Sequence, residues 1–399
     1  MNVLVINCGS SSLKFQLIDS VSEKVLAKGL CERIGIDGSK IEYEPYNGEE
    51  QEKEVSMPTH NEAIKIVIDS LLNKETGVIK DLSEVGAVGH RVVHGGEKFK
   101  DAVLITEEVI KEIEATEELA PLHNPAAVLG INACKKVLPN KPMVAVFDTA
   151  FHQTISKEKY IYPIPYEYYE KYHVRKYGFH GTSHQYVANR VAELLNKDIK
   201  DLKIVNCHLG QGASVCAIKN GQSVETSMGL TPLGGIPMGT RSGDLDPSVV
   251  TFIMKKENLI PEEMENILNK ESGAFGVSMV SVDFRDIEAE ALAGGKHAKL
   301  ALDVYHYSIA EYIAKCAVAM GGIDVLTFTA GVGEKSPYSR NEICKYLGVL
   351  GVEISGKANI VKGEEAEISS ATSKVKVFII PTNEELMIAK ETEKVINQN

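Results

Sequence analysis

The chain has 399 residues, of which 44% are hydrophobic and 25% are charged, as in an ordinary globular protein. This length predicts two domains rather than one core. The formal net charge of -12 argues against general binding of nucleic acid, and no apolar stretch is long enough to cross a bilayer or resembles a secretory signal, so we expect a cytoplasmic protein without nucleic-acid or membrane partners.

The cysteines and histidines predict neither a disulfide framework nor a zinc site. Seven cysteines are scattered along the chain without any C-x-x-C, and we interpret them as buried thiols. Two histidine pairs at spacing four, His90/His94 and His180/His184, could face one metal on a helix. Neither pair belongs to an H-E-x-x-H sequence or has a third ligand nearby, which argues against zinc.

The first 150 residues predict strands followed by alternating helices and strands. Short apolar runs bounded by Gly, Ser and Asp predict strands at 3–6, 13–18, 24–29, 41–46, 85–88 and 143–146. Helical spacing of apolar residues predicts helices at 61–72, 107–118 and 125–137. A meander of strands followed by this alternation is typical of an α/β domain.

Residues 203–218 repeat the layout of residues 3–18. Each stretch contains an apolar strand, an Asn-Cys pair, a turn of small residues and a second apolar strand. The later stretch is followed by Lys219-Asn220-Gly221, which predicts a hairpin turn. The shared layout indicates an internal duplication, and a cleft between two related halves is where a ligand is expected.

The second half also contains a long loop rich in glycine and proline, from Thr231 to Pro247. So long a stretch without regular structure is usually functional in a compact domain. Helices are predicted at 261–268 and about 297–320, and an apolar strand at 325–329 is predicted to end in a glycine turn.

Three turns of small residues could hold an oxyanion through backbone N–H groups and hydroxyls. They are Gly9–Ser12, Gly210–Ser214 and Gly331–Gly333, each directly after an apolar strand. Any one of them could be an ordinary turn, but three together favour a phosphate site. Since no P-loop or dinucleotide-binding glycine motif is present, the pattern favours the actin-like group of nucleotide-binding folds.

Four charged or titratable residues stand where they could act on an anion. Arg91 and Arg241 lie beside glycines in an apolar strand and in the long loop, and a guanidinium fork suits carboxylate or phosphate. Asp148 ends a strand, where Mg²⁺ or a catalytic group is often placed, and His180 lies between two glycines. The alternatives are structural ion pairs for the arginines, a capping role for Asp148 and a buried structural histidine.

Six stretches closely resemble the acetate kinase family, and they occur in the family's order across nearly the whole chain. They are V-I-N-C-G-S-S-S-L-K-F at 5–15, H-R-V-V-H-G-G at 90–96, A-V-F-D-T-A-F-H at 145–152, K-Y-G-F-H-G-T-S-H at 176–184, T-P-L-G-G-I-P-M-G-T-R-S-G-D-L-D-P at 231–247 and F-T-A-G-V-G-E at 328–334. Few families share such long literal strings, so the resemblance is highly specific.

The resemblance implies an α/β, two-domain actin-like ATPase (ribonuclease H-like) fold with a duplicated βββαβαβα core. An N-terminal domain would take residues 1–149 plus 384–399, and a nucleotide-binding and dimerisation domain would take 150–383. The implied partners are acetate, ATP and a second copy of the chain. The implied reaction is reversible, Mg²⁺-dependent, in-line transfer of the γ-phosphoryl group of ATP to acetate, which gives acetyl phosphate and ADP, with Mn²⁺ as an alternative metal.

The resemblance also implies roles for individual residues. The catalytic residues would be Arg91, Asp148, His180 and Arg241. Acetate would contact Arg91, Val93, Leu122, Phe179 and Pro232, and the metal would lie near Asn7, Asp148 and Glu384. The nucleotide would contact Asn7, Ser10, Ser12, Lys14, His208, Gly210, Gln211, Gly212, Asp283, Phe284, Arg285, Gly331, Gly333 and Glu334.

Two alternatives stay open at this point. A kinase for propionate or another short-chain fatty acid would use the same chemistry, and a nucleotide-binding protein without activity would use the same fold. Gln211, Gly234 and Lys335 differ from the family's usual residues, which leaves the preference for the phosphoryl donor open.

Overall fold

Two units make up the chain in the computed structural model, which describes residues 1–398. The first unit is Met1–Phe151 together with the segment that starts at Asn383, and the second is His152–Thr382. The resemblance implied that the first domain runs to residue 149 and resumes at 384. In the structure the first unit runs to residue 151 and resumes at 383, so the boundaries differ by two residues and by one.

Fourteen strands and fourteen α-helices are assigned among the described residues. The strands are β1 Asn2–Cys8, β2 Ser12–Asp19, β3 Lys24–Glu32, β4 Lys40–Pro45, β5 Gln51–Glu54, β6 Ala87–Val92, β7 Val103–Leu104, β8 Met143–Phe147, β9 Lys203–Leu209, β10 Ala213–Lys219, β11 Gln222–Thr226, β12 Val325–Thr329, β13 Ala366–Glu367 and β14 Lys376–Ile379. The helices are α1 His60–Leu71, α2 Glu107–Ala115, α3 Asn124–Val137, α4 Lys157–Tyr160, α5 Glu167–Tyr172, α6 Gly181–Leu195, α7 Pro247–Glu257, α8 Pro261–Lys270, α9 Gly273–Ser278, α10 Phe284–Leu292, α11 Lys296–Met320, α12 Ala330–Lys335, α13 Pro337–Lys345 and α14 Glu384–Gln398. In the part of the chain that the structure describes, no helix combines the length and apolar character that a membrane span requires.

Each unit contains one sheet, and the central strands of the two sheets have the same layout. The first has the strand order β5-β4-β3-β2-β1-β6-β8-β7, and the second has the order β11-β10-β9-β12-β14-β13. In both, three antiparallel strands are followed by two strands parallel to the first of them. The duplication predicted from the sequence is therefore confirmed.

The core of the first unit explains why β1 is apolar at every central position. Helices α1 and α3 cover Leu4 and Ile6, and α14 contacts β1, β6 and β8. When helices cover both faces of a sheet, successive side chains of a strand are buried, and not only alternate ones. Gly89 in β6 allows α14 to approach, because a Cβ there would lie 2.5 Å from Thr392 Oγ1.

The segment after β12 differs from the prediction. We predicted a glycine turn at Gly331–Gly333, and the structure has a helix, α12, that begins at Ala330. The Glu334 carboxylate accepts a hydrogen bond from the Ala330 N–H at 2.7 Å, which satisfies a donor at the helix start. Thr382 N–H donates to the same oxygen at 3.2 Å, so a residue distant in the sequence contributes to this local structure.

Candidate active site

Arg91 and Asp148 form a two-point ion pair inside the first unit. Arg91 lies on β6 and Asp148 directly follows the neighbouring parallel strand β8, so both lie at the carboxyl ends of their strands. Arg91 Nε and Nη2 donate to Asp148 Oδ1 at 3.2 Å and Oδ2 at 2.7 Å. The Asp148 side chain is 2% exposed, and its negative charge raises the pKa of Arg91 above its usual range. Arg91 thus has the carboxylate partner that the ion-pair alternative requires, and its Nη1 atom takes no part in this pair.

Glu384 lies near this pair at the start of α14. Its Oε1 atom is buried and has no hydrogen-bond partner among the described residues. Burial raises the pKa of the Glu384 carboxyl to about 7, although the Arg91 charge opposes this effect. The next residue, Glu385, pairs with Lys14 at 2.6 Å. Glu384 is therefore a desolvated oxygen donor at the edge of an ion-pair network.

The oxygen donors of this region suit a hard divalent cation better than a soft one. Asn7 lies at the end of β1 and is the strand partner of Lys14. Both oxygens of Asp148 already accept hydrogen bonds from Arg91, whereas Glu384 Oε1 is free to coordinate an ion. Within residues 1–398 no group of three or more His, Cys, Asp or Glu side chains is arranged to hold a metal. Such a sparse oxygen set fits Mg²⁺, which usually combines one or two carboxylates with water and substrate phosphate.

The turn Gly9–Ser12 follows β1 and is held from both sides. Gly9 N–H donates to the Ser12 carbonyl at 2.8 Å, and His60 Nε2 lies 2.9 Å from the Gly9 carbonyl. Ser10 is exposed and borders a cavity of about 270 Å³ that Lys136 also lines. The hydroxyl-rich turn is thus anchored through its backbone, while Ser10 stays accessible.

His180 belongs to a cluster of hydrogen-bonded histidines and serines in the second unit. Its Nδ1 lies 2.9 Å from Ser214 Oγ, and the same hydroxyl lies 2.8 Å from His184 Nε2. The His180 ring stacks on His208 with centroids 4.1 Å apart. Burial lowers the pKa of His184 well below its usual range, so that ring is neutral at pH 7. These contacts fix the orientation of the His180 ring.

Arg241 and His180 both border the space next to Gly212. A Cβ at Gly212 would lie 3.4 Å from Arg241 Nη1 and 3.4 Å from His180 Nε2. Arg241 donates to the Pro232 carbonyl at 3.2 Å, but it has no carboxylate partner among the described residues. Burial accordingly lowers the pKa of Arg241. A half-buried guanidinium without a counter-ion indicates an anion site.

A cavity of about 790 Å³ lies in the second unit. Among the predicted nucleotide residues, its lining includes Gly210, Gln211, Asp283, Phe284, Arg285 and Gly331. The other predicted nucleotide residues of this unit, His208, Gly212, Gly333 and Glu334, are not part of the lining. This volume falls within the usual range for a small-molecule site, about 300–1,000 Å³.

Some predicted site residues have structural contacts of their own. Asp283 caps α10 by accepting from the Arg285 N–H at 2.8 Å, and it also pairs with the Arg285 guanidinium. Of the residues predicted to contact the acetate methyl group, Val93 and Phe179 are buried, Pro232 contacts Arg241, and the Leu122 side chain is 77% exposed.

Comparison with known proteins identifies the family. The model of the acetokinase family matches residues 2–390. The chain belongs to the acetokinase family. Its relatives include the acetate kinase of Thermoanaerobacterium thermosaccharolyticum, at 58% identity with 99% of each chain covered, and that of Thermotoga petrophila, at 56% identity with 100% of this chain and 99% of the relative covered.

Solved structures of the acetokinase family agree with the fold. The acetate kinase of Porphyromonas gingivalis superposes with a TM-score of 0.95 at 46% identity, and 99% of each chain is covered. A propionate kinase from Francisella tularensis superposes with a TM-score of 0.91 at 39% identity, again with 99% of each chain covered. The predicted actin-like ATPase fold is thereby confirmed.

The structure also reveals residues that the sequence reasoning missed. Lys362 and Glu288 line the 790 Å³ cavity together with Lys335, which the sequence had already singled out. Arg340 on α13 is completely buried, and it donates to the carbonyls of Gly333 at 2.8 Å and Glu334 at 3.0 Å. An arginine among polar residues normally indicates an exposed helix face, so no sequence signal pointed to this buried role.

The raised pKa of Glu384 predicts a pH-dependent effect on stability. Folding raises the pKa of the Glu384 carboxyl, so the ionised form destabilises the folded protein. This loss of stability is absent below about pH 4.5, where the carboxyl is protonated in both states, and complete above about pH 7, where it is ionised in both. Glu384→Gln is expected to raise the free energy of unfolding at pH 8, by an amount on the order of 2 kcal/mol, and the gain should shrink towards pH 5.

Urea unfolding in a chelator at several pH values between 5 and 8 would measure this difference. Glu385→Gln is a suitable comparison, because it removes the ion pair with Lys14 and should lower stability slightly. A gain for Glu384→Gln that stayed constant from pH 5 to pH 8 would contradict the prediction.

Proposed function

We propose that the protein catalyses reversible transfer of the γ-phosphoryl group of ATP to acetate, which gives acetyl phosphate and ADP. The observation that carries the proposal is the uncompensated guanidinium of Arg241 beside His180, with no side chain at Gly212 between them. Relatives named acetate kinase, at 55–58% identity over nearly the whole chain, support the same reaction.

The reaction makes modest demands on the protein. Acetate is already ionised at pH 7, so no general base is needed to activate it. The transferring phosphoryl group is loose and metaphosphate-like, with charge spread over three equatorial oxygens. Arg241 Nη1 and His180 Nε2 both face the space above Gly212, where they can donate to those oxygens. For direct in-line transfer the protein then needs only to align acetate with the phosphoryl group and to stabilise the negative charge on the phosphoryl oxygens.

The nucleotide is assigned to the 790 Å³ cavity of the second unit. Lys335 and Lys362 line it and can neutralise phosphate charge, while Phe284, Val332 and Leu292 supply apolar surface. A cavity with a mostly apolar wall and a few polar groups is the usual form of a cofactor or nucleotide site. Gln211 lies in the same lining, which supports its predicted contact with the donor.

Arg91 and the three residues proposed to hold Mg²⁺ belong to the first unit. Asp148 occupies Nε and Nη2 of Arg91, which leaves Nη1 of that guanidinium to hold a substrate oxygen. Glu384 would hold the metal ion together with Asn7 and Asp148, and Mn²⁺ would suit the same oxygen donors. A bound Mg²⁺ supplies neutralisation of phosphate charge.

We also propose that the protein works as a cytoplasmic homodimer, as the family resemblance implies. Three large apolar side chains on or near α7 and α8 are exposed in the single chain: Val249, Phe252 and Ile260, with exposed fractions of 42%, 61% and 56%. A second copy would remove such surface from water.

The decisive experiment measures ADP formation by the purified protein with Mg²⁺-ATP and hydroxylamine, which traps an acyl phosphate as its hydroxamate. Acetate, propionate and a blank without acid are compared. We expect ADP and hydroxamate in equal amounts with acetate, and a kcat/KM for propionate lower by about 10-fold or more, since one extra methylene costs about 1–3 kcal/mol in a closed pocket.

Three outcomes would change the proposal. A higher kcat/KM for propionate than for acetate would make the protein a propionate kinase. ADP without hydroxamate would indicate another acceptor, and a lack of any turnover with retained ATP binding would indicate a nucleotide-binding protein without activity.

A further inference from the structure

The segment that carries Arg241 is a closed loop, residues 235–244. Its two ends are joined twice, because Gly235 N–H donates to Asp244 Oδ1 at 2.8 Å and Asp244 N–H donates to the Gly235 carbonyl at 2.7 Å. Gly243, with φ of +68°, folds against the loop's own start, where a Cβ would lie 2.6 Å from the Gly235 carbonyl oxygen. The Asp244 side chain therefore closes the loop at its base.

The other carboxylate oxygen of Asp244 is held by a different element. Tyr312, on the long helix α11, donates its hydroxyl hydrogen to Asp244 Oδ2. One oxygen of Asp244 thus binds the loop start and the other binds α11. A hydrogen bond to a charged acceptor is stronger than a neutral one, so this contact can fix the orientation of an otherwise exposed carboxylate.

The back of the loop rests on the segment 268–275 through backbone hydrogen bonds. Ser242 N–H donates to the Leu268 carbonyl, and Ser272 N–H donates to the Thr240 carbonyl, both at 2.9 Å. A Cβ at Gly273 would lie 2.6 Å from the Arg241 carbonyl oxygen, so the two segments are in direct contact. The loop is therefore held at Thr240 and Ser242, the two neighbours of Arg241 in the sequence, and at its base by Asp244.

We propose that Asp244 is a positioning residue for Arg241, and that Tyr312 orients the Asp244 carboxylate. Both groups act through the loop, since the Asp244 oxygens are occupied by Gly235 and Tyr312. The inference rests on the proposed function, in which Arg241 stabilises the transferring phosphoryl group. It adds a requirement that the guanidinium be held in one place, because a misplacement of about 1 Å can cost about 100-fold in rate.

The expected kinetic effects differ among three variants. Asp244→Ala should lower kcat about 100-fold, and Tyr312→Phe about 10-fold, with the Kd of ATP unchanged. Asp244→Asn keeps an oxygen for the Gly235 N–H and should lose less than Asp244→Ala. Tyr305→Phe is the matched control, because Tyr305 lies on the same helix and its buried hydroxyl has no hydrogen-bond partner among the described residues; it should keep the wild-type kcat.

Two further readouts separate positioning from a merely structural effect. Hydrogen exchange of the peptide 235–244 should become faster in Asp244→Ala and Tyr312→Phe but not in Tyr305→Phe. In an Arg241→Ala background, Tyr312→Phe should cause no additional loss of kcat, because the guanidinium that Tyr312 and Asp244 hold in place is already absent.

Unchanged exchange of this peptide in both variants would overturn the proposal, and so would a full additional loss of kcat in the Arg241→Ala background. Failure of the proposed function would look different, because the wild-type protein itself would then lack acetate-dependent turnover. Hydrogen exchange does not depend on turnover, so in that case it alone would decide whether Asp244 and Tyr312 hold the loop.

Discussion

Arg241→Ala is expected to lower kcat for acetyl phosphate formation about 100- to 1000-fold, the usual cost of removing one donor to transition-state charge. Arg241 is half-buried, without a carboxylate partner among the described residues, and shares the space above Gly212 with His180. Its guanidinium therefore has no evident structural ion pair to lose. The loss should fall on kcat, while the Kd of ATP changes little.

Steady-state kinetics and ATP binding by calorimetry would test this expectation. Arg241→Lys should recover only part of the rate, because an ammonium keeps the charge but lacks the planar fork. Arg190→Ala is the matched control: Arg190 pairs with Glu365 and Glu193 on the surface of the same unit. Equal kcat values for Arg241→Ala and Arg190→Ala would remove Arg241 from the mechanism.

Asp148→Ala is expected to destabilise the protein by about 3–5 kcal/mol, as happens when one partner of a buried ion pair is removed. The Asp148 side chain is almost completely buried, and both of its oxygens accept from Arg91. Without them the partly buried Arg91 guanidinium would lose both hydrogen bonds that orient it. A fall in kcat should accompany the loss of stability.

Urea unfolding followed by circular dichroism would measure the change in the free energy of unfolding. Asp303→Ala provides the comparison, since Asp303 pairs with Lys299 on an exposed helix face and its loss should cost less than about 1 kcal/mol. Asp148→Asn should fall between the two, because it keeps an acceptor oxygen. A cost for Asp148→Ala no larger than that for Asp303→Ala would contradict the buried-pair argument.

Most of the secondary structure could be predicted because its signals are local. The apolar runs of β1, β2 and β9 and the helical spacing of α1 and α3 are patterns within 7 to 14 residues. The duplication was visible for the same reason, as two similar stretches. Literal family strings then predicted the residues of the candidate site, whose roles in the reaction stay predictions until the variants are measured.

The sequence by itself determined the hydrophobic patterning, the duplicated strand layout and the family. Only the tertiary structure decided how the charged groups are paired. Arg91 pairs with Asp148, which follows a neighbouring strand, whereas Arg241 pairs with no carboxylate in the described residues, although both arginines stand near glycines in the sequence. A helix begins at Ala330 where a turn was predicted, and the Glu334 carboxylate accepts from the N–H groups of Ala330 and the distant Thr382. Pairings between distant residues depend on which strands and helices become neighbours, and local patterns carry no information about them.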